Sequence, residues 1–227
     1  MHRKIEIIVN TSELAAGTRG ASLGPGAIMT AARKANNPFF GTYPLHPLPD
    51  YNGFLDHENE TEFAKNLVGF KAVFESVAEK TTEILNKGSF PVILAGDHGS
   101  AAGTIAGIKA AHPEKRLGVI WIDAHGDLHS PYTTPSGNIH GMPLSLALGN
   151  DNLGYQRNTP SEKVSSIWNE LKLKYTGSAK ILASDLVIVA VRDTEHEENQ
   201  LISENNITNH TVEFVRKEGV KTIVERV

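Results

Sequence analysis

Asp123-Ala124-His125-Gly126-Asp127 sets three metal-competent side chains at alternate positions. In extended backbone alternate residues point to the same side, so a strand end can aim all three at one point. Asp97-His98 follows a second apolar run and arrives at the same edge. Carboxylate and imidazole donors without sulfur suit Mn²⁺, Fe²⁺ or Zn²⁺ more than Ca²⁺ or Mg²⁺. Several carboxylates beside two histidines can neutralise more than one divalent ion. In a two-metal site the ions lie roughly 3.5–4 Å apart and share a water or hydroxide. Either motif alone is more often a turn or a surface pair. Their common position, each directly after a buried strand, points to metal.

The elements that must position these groups are legible as apolar runs. Ile5–Val9, Phe90–Ala95, Leu117–Ile122 and Leu186–Val191 read as strands. The last three are nearly continuous in apolarity, which marks strands covered on both faces, as in a parallel sheet. Between them Phe63, Leu67, Phe70, Phe74, Val77 and Ile84 recur mostly at helical spacing, with Gly88 as a stop. Ala101–Ala111 is rich in small residues and is expected to pack closely on the sheet. Thr159-Pro160-Ser161-Glu162 reads as a capping box opening a helix through about Leu173. Thr211–Glu218 reads as a helix ended by Gly219, and Val220–Val227 begins a new helical pattern. Strand–helix alternation predicts a single α/β domain, 1–227, with a mainly parallel central sheet between helical layers. Sites in such sheets lie at the carboxyl ends of the strands, where the two metal motifs fall. The irregular Pro/Gly/Asn-rich stretch Ser130–Tyr155 is a second functional candidate.

Composition narrows the class. The chain has 227 residues, 22 Lys+Arg against 26 Asp+Glu, a formal net charge of −4, and 40% hydrophobic residues. That length supports one core-forming domain. The mild acidity argues against a nucleic-acid or anionic-membrane surface. No apolar run approaches the ~20 residues of a membrane span, and the N-terminus shows no signal-peptide pattern. Zero cysteines exclude thiolate ligands, thiol nucleophiles and disulfides, and fit a cytoplasmic setting.

Taken together, the motifs resemble those of the arginase/agmatinase (ureohydrolase) family. Ala95-Gly96-Asp97-His98 resembles its Gly-Gly-Asp-His, and Asp123–Asp127 its Asp-Ala-His-x-Asp. Ser136-Gly137-Asn138-Ile139-His140-Gly141 resembles a loop of the arginase branch. Arg192-Asp193-Thr194-Glu195 with Glu198 resembles a later element, and Gly20–Ala27 the N-terminal Gly-Pro loop. The resemblance implies a three-layer α/β fold and Mn²⁺-dependent hydrolysis of the L-arginine guanidinium to L-ornithine and urea by a metal-bridging hydroxide. It implies His98, Asp123, His125 and Asp127 as ligands, with two ions in the intact protein and Asp127 acting in catalysis as well. His140 would carry the proton to the leaving amine, because imidazole titrates near neutrality. Ser136 and Asn138 would hold the substrate's α-carboxylate, and Glu195 and Glu198 would face its α-amino group. The resemblance further implies a small guanidino substrate, no nucleic acid or membrane partner, and a trimer or hexamer.

Two departures matter. His129 stands where arginases usually carry an asparagine for carboxylate recognition, which puts the amino-acid end of the substrate in question. The family's third metal motif, Ser-x-Asp-x-Asp, does not occur in the sequence. The expectation is therefore a chain lacking the C-terminal part. Its sheet would be incomplete, with Leu117–Ile122 and Leu186–Val191 losing neighbours. It would bind at most one metal weakly and be nearly inactive alone. The alternatives are another ureohydrolase (agmatinase, formimidoylglutamase, guanidino-acid hydrolase) or a non-catalytic paralogue acting as a binding or assembly subunit. Residue by residue, blander roles also stand. His140 could be a loop histidine, and Glu195 and Glu198 a helix start favoured by the dipole. His46, His57, His112, His196 and His210 read as surface, Trp121 and Trp168 as core, and Asp185 as a turn residue.

Overall fold

A computed structural model describes residues 4–227. The strands are β1 (Ile5–Asn10), β2 (Leu45–Pro47), β3 (Phe90–Ala95), β4 (Val119–Ile122), β5 (Leu186–Val189) and β6 (Thr208–His210). The helices are α1 (Leu23–Lys34), α2 (Phe39–Thr42), α3 (Leu67–Asn86), α4 (Ala101–Ala111), α5 (Pro143–Leu148), α6 (Glu162–Leu173), α7 (His196–Glu204) and α8 (Val212–Arg226). Every strand pair is parallel. The α/β class and the parallel pairing are as the apolar runs predict.

The expected central sheet is divided. Among the described residues β2-β1-β3 form one three-stranded sheet and β4-β5-β6 another. The strands β1 and β5 are the central members, and Ile7, Ile8 and Ile188 are fully buried there. By contrast β3 and β4 each keep one unpaired edge. Ile120 is 59% and Ile122 74% exposed, so the apolar run of β4 is not covered on both faces. Of the two strands expected to lose neighbours, Leu186–Val191 keeps both and Leu117–Ile122 keeps one. A groove of 370 Å³ runs between β3 and β4 over α4, with Ile93, Ile105, Val119 and Trp121 on its walls.

The helix α3 buries Leu67, Phe70, Phe74, Val77 and Ile84 of the predicted stripe, while Phe63 lies in the turn before it. Its small-residue partner is α4, which packs on α3 as well as near the sheets. A Cβ at Gly103 would lie 2.7 Å from the Phe74 carbonyl oxygen, and one at Gly107 2.4 Å from that of Ala78. Only glycine permits this approach, so the small residues serve helix–helix packing. Around them Ala102, Ala106, Met142, Leu146 and Trp168 complete one core, and Leu128, Leu144, Leu186, Ile188 and Leu201 a second.

Helix ends depart slightly from expectation. The N-cap of α6 is Ser161, whose hydroxyl accepts from the Val164 N–H, so Thr159 and Pro160 lie just outside the helix. At Gly219 (φ 80°, ψ 156°) α8 breaks where the stop was predicted, and a second helical stretch follows. His210 is a further difference: it is buried in β6 and stacks on Phe214 at 5.2 Å. His46 also has a structural partner, Glu6, at 2.8 Å. Trp168 is core as predicted, its Nε1–H donating to Asp151. Asp185 ends the turn before β5, as predicted, and pairs with Arg116.

One buried charge stands out. Lys180 is 1% exposed, and its ammonium donates to the carbonyls of Leu171 and Lys172 at the end of α6. It thereby satisfies acceptors that a helix C-terminus leaves open. Burial pushes its pKa down to about 8.

Candidate metal centre

Each metal motif occupies the turn that follows a parallel strand. After β3 the carboxylate of Asp97 turns inward. One oxygen accepts from the N–H groups of Ala15 (2.9 Å) and Ala16 (3.2 Å), and the other from Gly99. Burial raises the Asp97 pKa, against the pull of these backbone donors. Asp97 is thus a tie between the N-terminal loop and the β3 turn, and it frees His98 to face β4. The sequence signal for that role is only its adjacency to His98.

His98 Nδ1 lies 2.9 Å from Asp123 Oδ2 and 3.1 Å from Asp127 Oδ2. One donor atom from each of these three residues falls within 4.8 Å of the others. Asp127 is 5% exposed and adopts φ 52°, and its Oδ2 contact with His98 lacks hydrogen-bond geometry. A left-handed non-glycine residue holding an unsatisfied buried carboxylate oxygen is strained and costly. A divalent cation would relieve both the lone pair and the like charge beside Asp123. Burial opposes a charged His98, but Asp127, Asp123 and Asp97 outweigh it and raise its pKa. Metal binding at His98 would compete with its protonation. The donor set therefore fits a divalent metal.

His125, the fourth predicted ligand, is not brought into this group. Its side chain is 61% exposed, with Nδ1 3.4 Å from Asp123 Oδ1, while its backbone N–H donates to Asp123. Trp121, read from sequence as core, has a further role. It is buried, but its ring stacks on His98 at 4.2 Å and 8°. The indole fixes the plane of the imidazole. We expect Mn²⁺ to quench Trp121 fluorescence, an effect lost in Trp121→Phe. Titration of the Trp168→Phe variant isolates the signal, and an unchanged Trp121 spectrum would place the ion elsewhere.

Beside the acidic group lies a pocket of 140 Å³ that gathers Asp127, Ser136, Asn138, His140, Glu195 and Glu198. His125 and His129 also line it, so most of the predicted site residues share one cavity. The loop that carries Ser136 to Gly141 is held by backbone: His140 N–H donates to Ala15 O, and Lys65 N–H to Gly137 O. Gly137 has φ 75°, and a Cβ there would lie 2.4 Å from the Glu62 carbonyl oxygen, so the loop's glycine is obligatory. On the opposite wall Glu195 and Glu198 form the capping box of α7. Glu198 accepts from the N–H groups of Leu128 (3.0 Å) and Glu195 (3.1 Å), and burial pushes its pKa up to about 7. The helix-start role and the pocket role of these two residues thus coexist.

Comparison with known proteins agrees with this geometry. The arginase-family profile matches residues 4–227. An arginase of Brevibacillus brevis is 35% identical over 226 residues, covering 99% of this chain and 70% of that protein. An arginase of Bacillus subtilis is 33% identical over the same shares. The crystal structure of Bacillus cereus arginase superposes with a TM-score of 0.77 at 30% identity, over 99% of this chain and 69% of that one. Fold and site thus define a hydrolase of the ureohydrolase class. Within that class, the chain belongs to the arginase family.

Proposed function

We propose that the chain is a Mn²⁺-dependent ureohydrolase that hydrolyses the guanidinium of L-arginine to L-ornithine and urea. The observation that carries this reading is the convergence of His98, Asp123 and Asp127 beside a pocket holding Ser136, Asn138, His140, Glu195 and Glu198. Mn²⁺ fits the oxygen- and imidazole-donor set. When bound, it would lower the pKa of water enough to supply hydroxide near neutral pH. Guanidinium stays protonated at any working pH, and the carboxylates offset its charge. His140 lies in the pocket within the same loop and is the group we assign to protonating the leaving amine. Ser136 and Asn138 would donate to the substrate carboxylate, and Glu195 would accept from its ammonium group. His125 would complete the ligand set after a side-chain rotation, since its backbone is already in the turn. No helix among the described residues is long and apolar enough to cross a membrane. The cysteine-free composition fits a cytoplasmic setting.

Calorimetry of the Mn²⁺-loaded chain with L-arginine, agmatine and formimidoylglutamate tests the substrate assignment apart from turnover. Tightest binding of L-arginine is expected, and failure to bind it overturns the reading. A urea-release assay then measures turnover, which we expect to be slow with a single ion. A second reading, a binding or assembly subunit, rests on the unpaired edges of β3 and β4. An isolated chain that behaves as a stable monomer argues against it.

A further inference from the structure

The His129 side chain is almost fully buried, and both of its ring nitrogens are engaged. Nδ1 lies 3.2 Å from Thr133 Oγ1, and Nε2 lies 3.0 Å from Glu195 Oε2. An ionised carboxylate can only accept, so Nε2 carries the hydrogen and donates to Glu195. Thr133 Oγ1 already accepts from the Ser130 N–H at 3.0 Å. Its own hydrogen is therefore free to satisfy Nδ1. This chain of Ser130, Thr133, His129 and Glu195 ends at the pocket mouth, where the Glu195 side chain is 51% exposed. His129 thus has no donor left for a substrate carboxylate. Nor does any lysine or arginine line the pocket among the described residues. What His129 does supply is a fixed direction for Glu195. Burial works against the charge on Glu195, and hydrogen bonds from His129 and Glu198 outweigh it and keep its pKa below the usual range.

We propose that His129 is a positioning residue that clamps Glu195 as the receptor for a second cationic group on the substrate. The clamp fixes the contact to the substrate ammonium that the proposed function assigns to Glu195, so a guanidino acid lacking the amine does not draw on it. The proposal rests on the ureohydrolase reading for its ligand, but the clamp itself does not. His129 stands where the family usually carries a carboxylate-recognising asparagine, and its hydrogen-bond chain assigns it to the amine end instead.

Two measurements test it. Calorimetry of the Mn²⁺-loaded chain compares L-arginine with 5-guanidinopentanoate, which keeps the carboxylate and lacks the amine. The proposal expects His129→Ala to weaken L-arginine about tenfold and 5-guanidinopentanoate far less, with His129→Gln, whose amide can still donate to Glu195, restoring much of the difference. Equal losses for both ligands, or a loss confined to 5-guanidinopentanoate, overturn it. Long-range ¹H–¹⁵N spectra of the wild-type chain read the His129 tautomer without any ligand. Hydrogen on Nε2 is expected, and an Nδ1–H tautomer with a bare Nε2 overturns the clamp. If the wild-type chain binds neither guanidino ligand, the ureohydrolase reading fails while the tautomer still decides the clamp.

Discussion

Asp127→Asn is expected to weaken Mn²⁺ binding by about 100-fold or more while the metal-free chain stays folded. Removing an outer partner of a metal site typically costs 10–100-fold; removing an anionic ligand costs at least the upper part of that range. The metal-free chain should tolerate the change because the Asp127 Oδ2 contact with His98 lacks hydrogen-bond geometry there. Losing its charge also relieves the repulsion with half-buried Asp123, an effect opposite to the lost attraction for His98. A ligand at 100 times its Kd stabilises a fold by about 2.7 kcal/mol. Wild type should therefore gain melting temperature with Mn²⁺, and Asp127→Asn should gain about 0.4 kcal/mol or less at the same concentration. An unchanged Mn²⁺ affinity would remove Asp127 from the site. A collapse of metal-free stability would make its role architectural.

Lys180 sets the second large effect, on stability against pH. Its folded pKa of about 8 lies below the ordinary 10.5 because burial disfavours the ammonium. Between those values the unfolded chain binds more protons than the folded one, so stability rises with pH there. At one pKa unit per 1.36 kcal/mol, the gain from pH 8 to pH 10 is roughly 2 kcal/mol. Above pH 10 the trend reverses, because burial raises the Tyr175 pKa and the unfolded chain then loses protons more readily. Lys180→Met should flatten the rise between pH 8 and 10. At pH 7 its removal of a desolvated charge is offset by leaving the Leu171 and Lys172 carbonyls unpaired, each costing about 1–3 kcal/mol. Urea unfolding at several pH values measures the slope. A rise that persists in Lys180→Met would assign it to another group.

The metal-bearing turns were legible because polar residues interrupt continuous apolar runs at Asp97 and Asp123. The stripe on α3 was legible because its apolar spacing is helical. Other features had no such mark. The strands β2 and β6 hold three residues each, too few to display a period. The helix α5 is six residues long, with Pro143–Ala147 buried and no polar face to contrast with an apolar one. His210 looked like surface because its burial comes from β5 and Phe214, remote in pattern. The division of the sheet was not readable from strand composition, since β4 is as apolar as a covered strand. Within the site, residue types predicted which side chains would share a pocket. They could not predict that both His129 nitrogens would be taken up by Thr133 and Glu195, or that Trp121 would stack on His98. Those outcomes depend on side-chain direction across elements 23 to 66 positions apart.

The divided sheet also changes what an ion would do mechanically. His98 follows β3 in one ladder, and Asp123 and Asp127 follow β4 in the other. No backbone ladder joins β3 to β4 among the described residues. A cation held by all three is a staple across a seam that hydrogen bonds leave open. Its binding energy therefore resists parting of the two halves more than melting within either one. In this chain the metal would be a fastening of the fold as well as a reagent.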